Sequence, residues 1–423
     1  MNYVHHLFSF FIFICTNAYS QAININSIGN ARQTGGASGY TLDGQYMLNS
    51  SRVKLLNQNN FGTSGTYPKS INIIDGYSTS GSLCQIITIP KEQIFFFGAF
   101  NILDGTLQQF TSAEIDSLYN WSKLGGKLII GATAGITGYN PSILNSKWEF
   151  DLAIIPAGGT FNPTANGNTT DIFNGPFGTI SSSTQGGGAQ GYFTVMLPNS
   201  VVLATNTNGT PSLIMDCNTL DLIAADVDGF TSVGGVSSGN SVSNTQDMFW
   251  VNTIVFMDKL QPPPIISNTL NTLSLNSTYI SYQWYLNNDP ISGATKQIYI
   301  PDETGNYSVE VTVNGGCRVL SDVLRTDSLP EENVLTMPNV FTPNNDNLND
   351  IFIPIKIKGI TVNQVSIFNR WGDLIHKENS PKIFWDGKSN GENVSDGIYY
   401  WIVEYQNSKG IADVMHGFLQ LIR

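Results

Sequence analysis

The sequence predicts a multidomain chain: an N-terminal α/β domain built on a parallel sheet, followed by two β-sandwich domains. Three observations lead there. A continuous apolar run, a capped amphipathic helix and a second apolar run follow one another between Gln93 and Ile130. Past Leu260 the pattern changes to short alternating strands broken by Asn, Asp and Gly turns. Two breaks in composition divide a chain whose 423 residues exceed what one hydrophobic core usually serves.

The apolar run from Leu7 to Cys15 is too short to span a bilayer. Ala18-Tyr19-Ser20 before Gln21 is a small-x-small cleavage pattern, so residues 1–20 are expected to be a signal peptide, although no Lys or Arg precedes the run. Cys15 lacks a preceding small residue, which argues against a lipid anchor. No later run approaches the roughly 18 apolar residues of a membrane span, so no transmembrane segment is expected.

Residues 21–260 read as the α/β domain. Asp43 to Asn57 has helical spacing through Tyr46, Met47, Val53 and Leu55. Gln93 to Phe97 has the unbroken apolarity of a strand buried on both faces. Thr111-Ser112-Ala113-Glu114 fits a capping box, in which a hydroxyl accepts from a free amide of the first turn and a glutamate reaches back. Ile115, Leu118, Tyr119 and Leu124 continue that helix, Gly125-Gly126 ends it, and Lys127 to Ile130 starts another buried strand. Strand, helix and strand in this order make a βαβ unit with a parallel pair. Ile71–Ile74, Val201–Ala204 and Leu220–Ala224 are further strands, and Asp247 to Leu260 is a closing helix with Phe249, Ile254 and Met257 inward. Gly158 to Gly191, rich in Gly, Asn, Thr and Ser, is expected to be mostly loop.

Residues 261–326 begin with Gln261-Pro262-Pro263-Pro264, an extended stiff stretch. Tyr282-Gln283-Trp284-Tyr285 alternates as a half-buried strand does. Asp302 to Val309 has the spacing of a tyrosine corner, with Val309 where an antibody domain has its second core cysteine. On these residues the segment resembles bacterial immunoglobulin-like modules. An acidic linker follows at 327–334.

Composition restricts function. A net charge of −12 lacks the basic footprint that a phosphate backbone requires, so no nucleic-acid partner is expected. The four histidines are His5, His6, His376 and His416, so residues 21–260 contain none. A Cys–His or Ser–His–Asp site, or a histidine-ligated zinc, is therefore impossible there. Gly131-Ala132-Thr133-Ala134-Gly135 imitates a nucleophile elbow, but a threonine without a base is a poor nucleophile. No metal site and no cofactor are expected, and no catalytic residue is assigned. Carboxylates remain: Asp75, Asp104, Asp226, Asp228 and Asp247 lie near strand ends or the loops that follow, where open parallel sheets bind ligands. Of these, Asp75, Asp104, Asp228 and Asp247 are the candidate ligand-site acids. Among Cys84, Cys217 and Cys317, a Cys84–Cys217 bridge and buried free thiols are equally open.

Residues 335–423 carry the densest pattern. Pro338-Asn339-Val340-Phe341-Thr342-Pro343-Asn344-Asn345-Asp346-Asn347-Leu348-Asn349-Asp350 is followed by Asn369-Arg370-Trp371-Gly372, Trp385-Asp386-Gly387 and Gly397-Ile398-Tyr399-Tyr400. Gly417 to Arg423 closes the series. Read as residues, these are aromatic strands punctuated by Asp-Gly and Asn-Gly turns, with Trp371, Trp385 and Tyr400 as expected core anchors. Asn344, Asp346 and Asp350 are spaced as in some calcium loops, but an Asx-rich turn explains them without the glycine and bidentate glutamate of an EF-hand.

In order and spacing the five blocks resemble the gliding-motility-associated C-terminal domain, the type B sorting signal of type IX secretion in Bacteroidetes. Asn345 and Asn347 stand where that family has glycine. The resemblance implies that the secretion machinery is a partner and that the protein reaches the outer cell surface or the medium through the periplasm. The Leu124–Ile130 helix end and the late helix at Asp247–Leu260 also resemble class I glutamine-amidotransferase-like, flavodoxin-like domains. Together these suggest a non-catalytic binding or adhesion protein with an extracellular glycan or protein ligand. A secreted carbohydrate-active hydrolase using loop carboxylates and a structural matrix component are the alternatives.

Overall fold

A computed structural model describes residues 22–28, 40–42, 46–77, 79–98, 110–132, 144, 147–186, 189–269, 271–327, 334–346, 348–379, 383–407 and 410–423. The expected signal peptide, Asp43, Asp104, Thr133 and Asn347 lie outside these residues. The chain divides into two compact units. The first comprises residues 1–267, 273–299 and 306–324; the second comprises 325–423 with the short stretches 268–272 and 300–305. Among the described residues, no helix is long and apolar enough to cross a membrane.

The first unit is organised on a nine-stranded sheet. Its strands are β1 (Ile23–Ile28), β2 (Ile71–Gly76), β3 (Ile94–Phe97), β4 (Lys127–Gly131), β5 (Gly159–Pro163), β6 (Ser183–Gly186), β7 (Ser200–Thr205), β8 (Pro211–Asp216) and β9 (Leu222–Ala224), in spatial order β2-β1-β3-β4-β9-β8-β7-β5-β6. The pairs β1–β2, β1–β3, β3–β4 and β4–β9 are parallel. The remaining pairs are antiparallel. The sheet is therefore mixed rather than wholly parallel. The reason is connection length: only Cys217 to Asp221 separates β8 from β9, and so short a link can only reverse the chain. Strands β5 and β6 also occupy the stretch expected to be loop. Phe161 supplies its buried anchor, and backbone pairing needs no particular side chain.

Between β3 and β4 lies α1 (Ser112–Lys123), which makes the expected βαβ unit. Its capping box is complete: the Thr111 hydroxyl accepts from the Glu114 amide, and the Glu114 carboxylate accepts from the Thr111 amide. Ile115, Leu118 and Trp121 pack on one face of the sheet with Phe95, Phe97, Leu128 and Ile130. Ile94, Phe96 and Ile129 point to the opposite face, as strict alternation requires. That second face is covered by α2 (Thr245–Lys259), whose residues from Gln246 to Met257 are, with the exception of half-buried Met248, all buried. A helix apolar nearly all round has protein on every side. Each fully buried Phe, Val or Ile side chain there contributes on the order of 2 kcal/mol.

One of the elements enclosing α2 is the β-module of residues 273–299 and 306–324. Its strands β10 (Ser281–Leu286), β11 (Gly305–Thr312) and β12 (Arg318–Leu320) pair antiparallel. Trp284 is fully buried opposite Val309 and stacks on Tyr299 at 5.8 Å. This core is continuous with that of the α/β sheet. A disulfide joins Cys217, in the β8–β9 turn, to Cys317, while Cys84 is free. The Cys84–Cys217 alternative is thereby corrected. Gly315 has φ +93°, and a Cβ there would lie 2.9 Å from the Met215 sulfur, so the module approaches β8 more closely than a side chain allows. The Asn314 amide donates to Gln261 Oε1 at 2.9 Å, which ties the proline stretch to the module.

The second unit holds a five-stranded sheet of β13 (Val340–Phe341), β14 (Ile360–Phe368), β15 (Leu374–Glu378), β16 (Gly397–Asn407) and β17 (Ala412–Leu421), ordered β13-β17-β16-β14-β15. Alternation along β16 buries Tyr399, Trp401, Val403 and Tyr405 and leaves the residues between them more exposed.

Candidate functional site

In the second unit the motif blocks of 335–423 converge. Phe341 packs its ring against Phe352 at 5.9 Å and Trp385 at 5.3 Å, and Trp385 meets Tyr399 edge-on at 5.2 Å. The Trp385 indole is fully buried and donates to the Lys388 carbonyl at 2.8 Å. The Tyr399 hydroxyl donates to the Ser395 carbonyl at 2.7 Å, and burial raises its pKa against the pull of Arg423 and Arg370.

Gly387 joins three blocks. With φ +75°, a Cβ would sit 3.0 Å from Pro343 and 3.1 Å from the Arg423 guanidinium. Arg423 Nη2 donates to the Gly387 carbonyl at 2.8 Å, Nη1 donates to the Val394 carbonyl, and the Arg423 amide reaches Asp396 at 3.1 Å. The Asp386 carboxylate accepts from the Lys388 amide at 3.1 Å and shapes the same turn.

The Asn344–Asp350 loop uses its oxygens internally. Asn344 accepts from the Asp346 amide, Asp346 from the Leu348 amide and Asp350 from the Asn345 amide. Asn345 and Asn349 adopt φ +64° and +54°. Asparagine tolerates this left-handed region, so both positions turn the chain without a glycine. Asn339 contributes its carbonyl, which accepts from the Gln420 amide at 2.8 Å.

Two expected anchors are not core residues. Trp371 is 77% exposed and Tyr400 50% exposed. Asn369 to Gly372 form the β14–β15 turn, where Asn369 Oδ1 accepts from the Trp371 and Asp373 amides and Gly372 takes φ +87°. A turn residue pointing outward cannot reach the core, and Tyr400 falls on the outward phase of β16. The Arg370 guanidinium lies 5.0 Å over the Trp371 ring and also approaches Gly397, where a Cβ would lie 3.2 Å from Nη2. Arg370, Trp371, Phe368 and Tyr400 line a shallow groove on this face.

The candidate acids of the first unit are dispersed. Asp75, at the end of β2, pairs with Arg52 at 3.3 Å. Asp247 is fully buried beside Lys54 at 3.5 Å and accepts from the amides and hydroxyls of Ser237 and Ser243. Burial pushes its carboxyl up, but those hydrogen bonds and the Lys54 charge outweigh it and hold the pKa below the ordinary value. Asp228 accepts from the Tyr40 hydroxyl at 3.1 Å, and the Asp228 amide donates to Asp226 at 3.0 Å. Burial pushes both carboxyls up, and the Asp228 charge raises Asp226 further. This pair follows β9, and Asp75 lies at the end of β2, so both places lie at the carboxyl ends of parallel strands. Sequence reading missed the buried pair Asp216, the last residue of β8, and Asp221, in the turn that follows. Asp221 accepts from the Trp148 indole and Thr219 hydroxyl, each at 2.7 Å, and from the Ser122 hydroxyl.

The motif residues of 335–423 thus close one small fold around Phe341, Trp385 and Tyr399. Residues 335–421 match the CHU_C Type IX secretion signal domain. Residues 335–421 therefore carry a type IX secretion signal, which directs the protein to the cell surface or extracellular space. No curated protein matches the chain. Among solved structures it is similar to the exo-β-1,4-mannosidase Op5Man5 from Opitutaceae bacterium strain TAV5, at 10% identity and TM-score 0.28 over 49% of this chain and 31% of that one. It is also similar to a protein described as one component of a GMP synthase from Thermoplasma acidophilum, at 8% identity and TM-score 0.32 over 56% and 94%. A third is the Bacteroides ovatus mixed-linkage glucan utilization locus protein SGBP-B, at 14% identity and TM-score 0.13 over 37% and 42%. The chain thus spans about a third of the mannosidase's length.

Proposed function

We propose that this is an exported binding or adhesion protein whose residues 21–326 present a non-catalytic surface to an extracellular glycan or protein. In this reading residues 1–20 are the signal peptide, 21–260 an amidotransferase-like domain, 261–326 an immunoglobulin-like module, 327–334 a linker and 335–423 the address. The observation that carries it is the state of the acids: Asp75 and Asp247 are neutralised by Arg52 and Lys54 in separate places. With no histidine in 21–260, no imidazole base accompanies them. Glycan and host-protein arrays probed with the exported protein test it. Retention without release of reducing ends is the expected outcome; turnover would refute it.

A second reading, a carbohydrate-active hydrolase, is favoured by Asp226 and Asp228, whose raised carboxyls at a strand end resemble a tuned acid pair. It requires glycan turnover that Asp228→Asn abolishes while the melting temperature stays near that of the parent.

A further inference from the structure

Strand β17 is paired with β16 along its whole length, from Gly397↔Leu421 to Gln406↔Ala412, without a register shift. On its other side only Gln420 and Leu421 have a strand partner, β13. The Gln420 amide donates to Asn339 and the Ile422 amide to Phe341, both on that outer side. Backbone groups alternate sides along a strand, so Ala412, Val414, His416 and Phe418 also turn their N–H and C=O groups outward. The Val414 amide is consistent with this, since it donates to the neighbouring Asp413 carboxylate at 2.8 Å rather than to β16. No strand among the described residues pairs with this edge.

Natural sheets blunt such edges with lysine, proline, bulges or brevity. The opposite edge, β15, obeys: it is five residues long and carries Lys377 and Glu378. From Val414 to Phe418 the β17 edge has no lysine, no proline and no bulge. It also borders an apolar row. Phe418 lies opposite Tyr400, and Tyr400 opposite Phe368, with Phe418 59% and Val414 54% exposed.

We propose that this edge is where the signal domain is read: an extended segment of the secretion machinery, apolar at alternate positions, adds as a strand beside residues 412–418. The proposal rests on the export reading and assigns the surface that serves it. Main-chain hydrogen bonds along the open edge ask little of side-chain identity, while the exposed Phe418 and Val414 supply the apolar contact for alternate residues of the added strand.

The test uses the full chain in a host with type IX machinery. His416→Pro removes an outward amide that β16 does not use, a position where an edge strand accepts proline. Val414→Lys/Phe418→Lys alters only exposed side chains and serves if the proline variant does not fold. Each variant, melting like the parent, is expected to reduce the extracellular and surface protein about tenfold or more, with accumulation in the periplasm. Export of a folded variant at the parent level would overturn the proposal. So would a purified dimer that His416→Pro makes monomeric while export is unchanged, since the edge would then belong to a second copy. Deletion of 335–423 is the control: if that truncation is exported normally, the export reading itself fails, whatever the edge does.

Discussion

Cys217 and Cys317, separated by 100 residues in sequence, are bonded with their Cα atoms 5.1 Å apart, and the bond clamps the β-module to the turn after β8. A bridge closing a loop of this length restricts the unfolded chain, by an amount on the order of 4 to 5 kcal/mol in the loop-entropy account. An oxidised pair also suits a protein that matures outside the cytoplasm.

The double variant Cys217→Ser/Cys317→Ser is therefore expected to lose about 3 to 5 kcal/mol. Urea denaturation of the parent with and without reductant should reproduce the difference, and Cys84→Ser should leave it unchanged.

Lys54 and Asp247 are both sealed from solvent, with the Lys54 ammonium also donating to the Ser237 and Gly239 carbonyls. Lys54→Met strands a buried carboxylate and should cost about 3 to 5 kcal/mol. Lys54→Met/Asp247→Leu should cost less than the two single changes summed, measured as a double-mutant cycle in denaturant.

Asp221 titrates at about 7 because burial raises it and the Asp216 charge adds to this, against hydrogen bonds from Ser122, Thr219 and Trp148. The unfolded chain releases that proton near the ordinary value of 3.8. Between these two values the native state holds a proton that the unfolded state has lost, so stability falls as pH rises through the window and levels off above it. Denaturation midpoints at pH 4.5 and pH 8 should differ in that sense. Asp221→Asn should flatten the difference without abolishing it, because burial raises Asp216 as well.

Trp385 and Trp371 should respond oppositely. Trp385→Ala empties the centre of the second unit and should cost about 3 to 5 kcal/mol. Trp371→Ala changes an exposed turn and should stay within about 0.5 kcal/mol. Thermal melting of the full chain, followed by near-UV circular dichroism, distinguishes them.

What was legible in the sequence was local. The capping box at Thr111 and Glu114, the βαβ unit, the late buried helix and the motif series of the signal domain all depend on residues a few positions apart. Each was readable from spacing. The long Gly/Asn/Thr-rich stretch misled because β5 and β6 are held by backbone pairing to distant strands, which leaves little trace in side-chain pattern.

The sequence by itself determined the address, ordered aromatic and turn residues between 335 and 423, and the want of a histidine in residues 21–334. Tertiary structure alone decided that Cys317 rather than Cys84 reaches Cys217, that Trp385 is core while Trp371 is surface, and that half of the large sheet runs antiparallel. Those outcomes turn on which remote segments come within a few ångströms of one another, and closure over a hundred residues is set by the packing of the whole unit, not by any window of the chain.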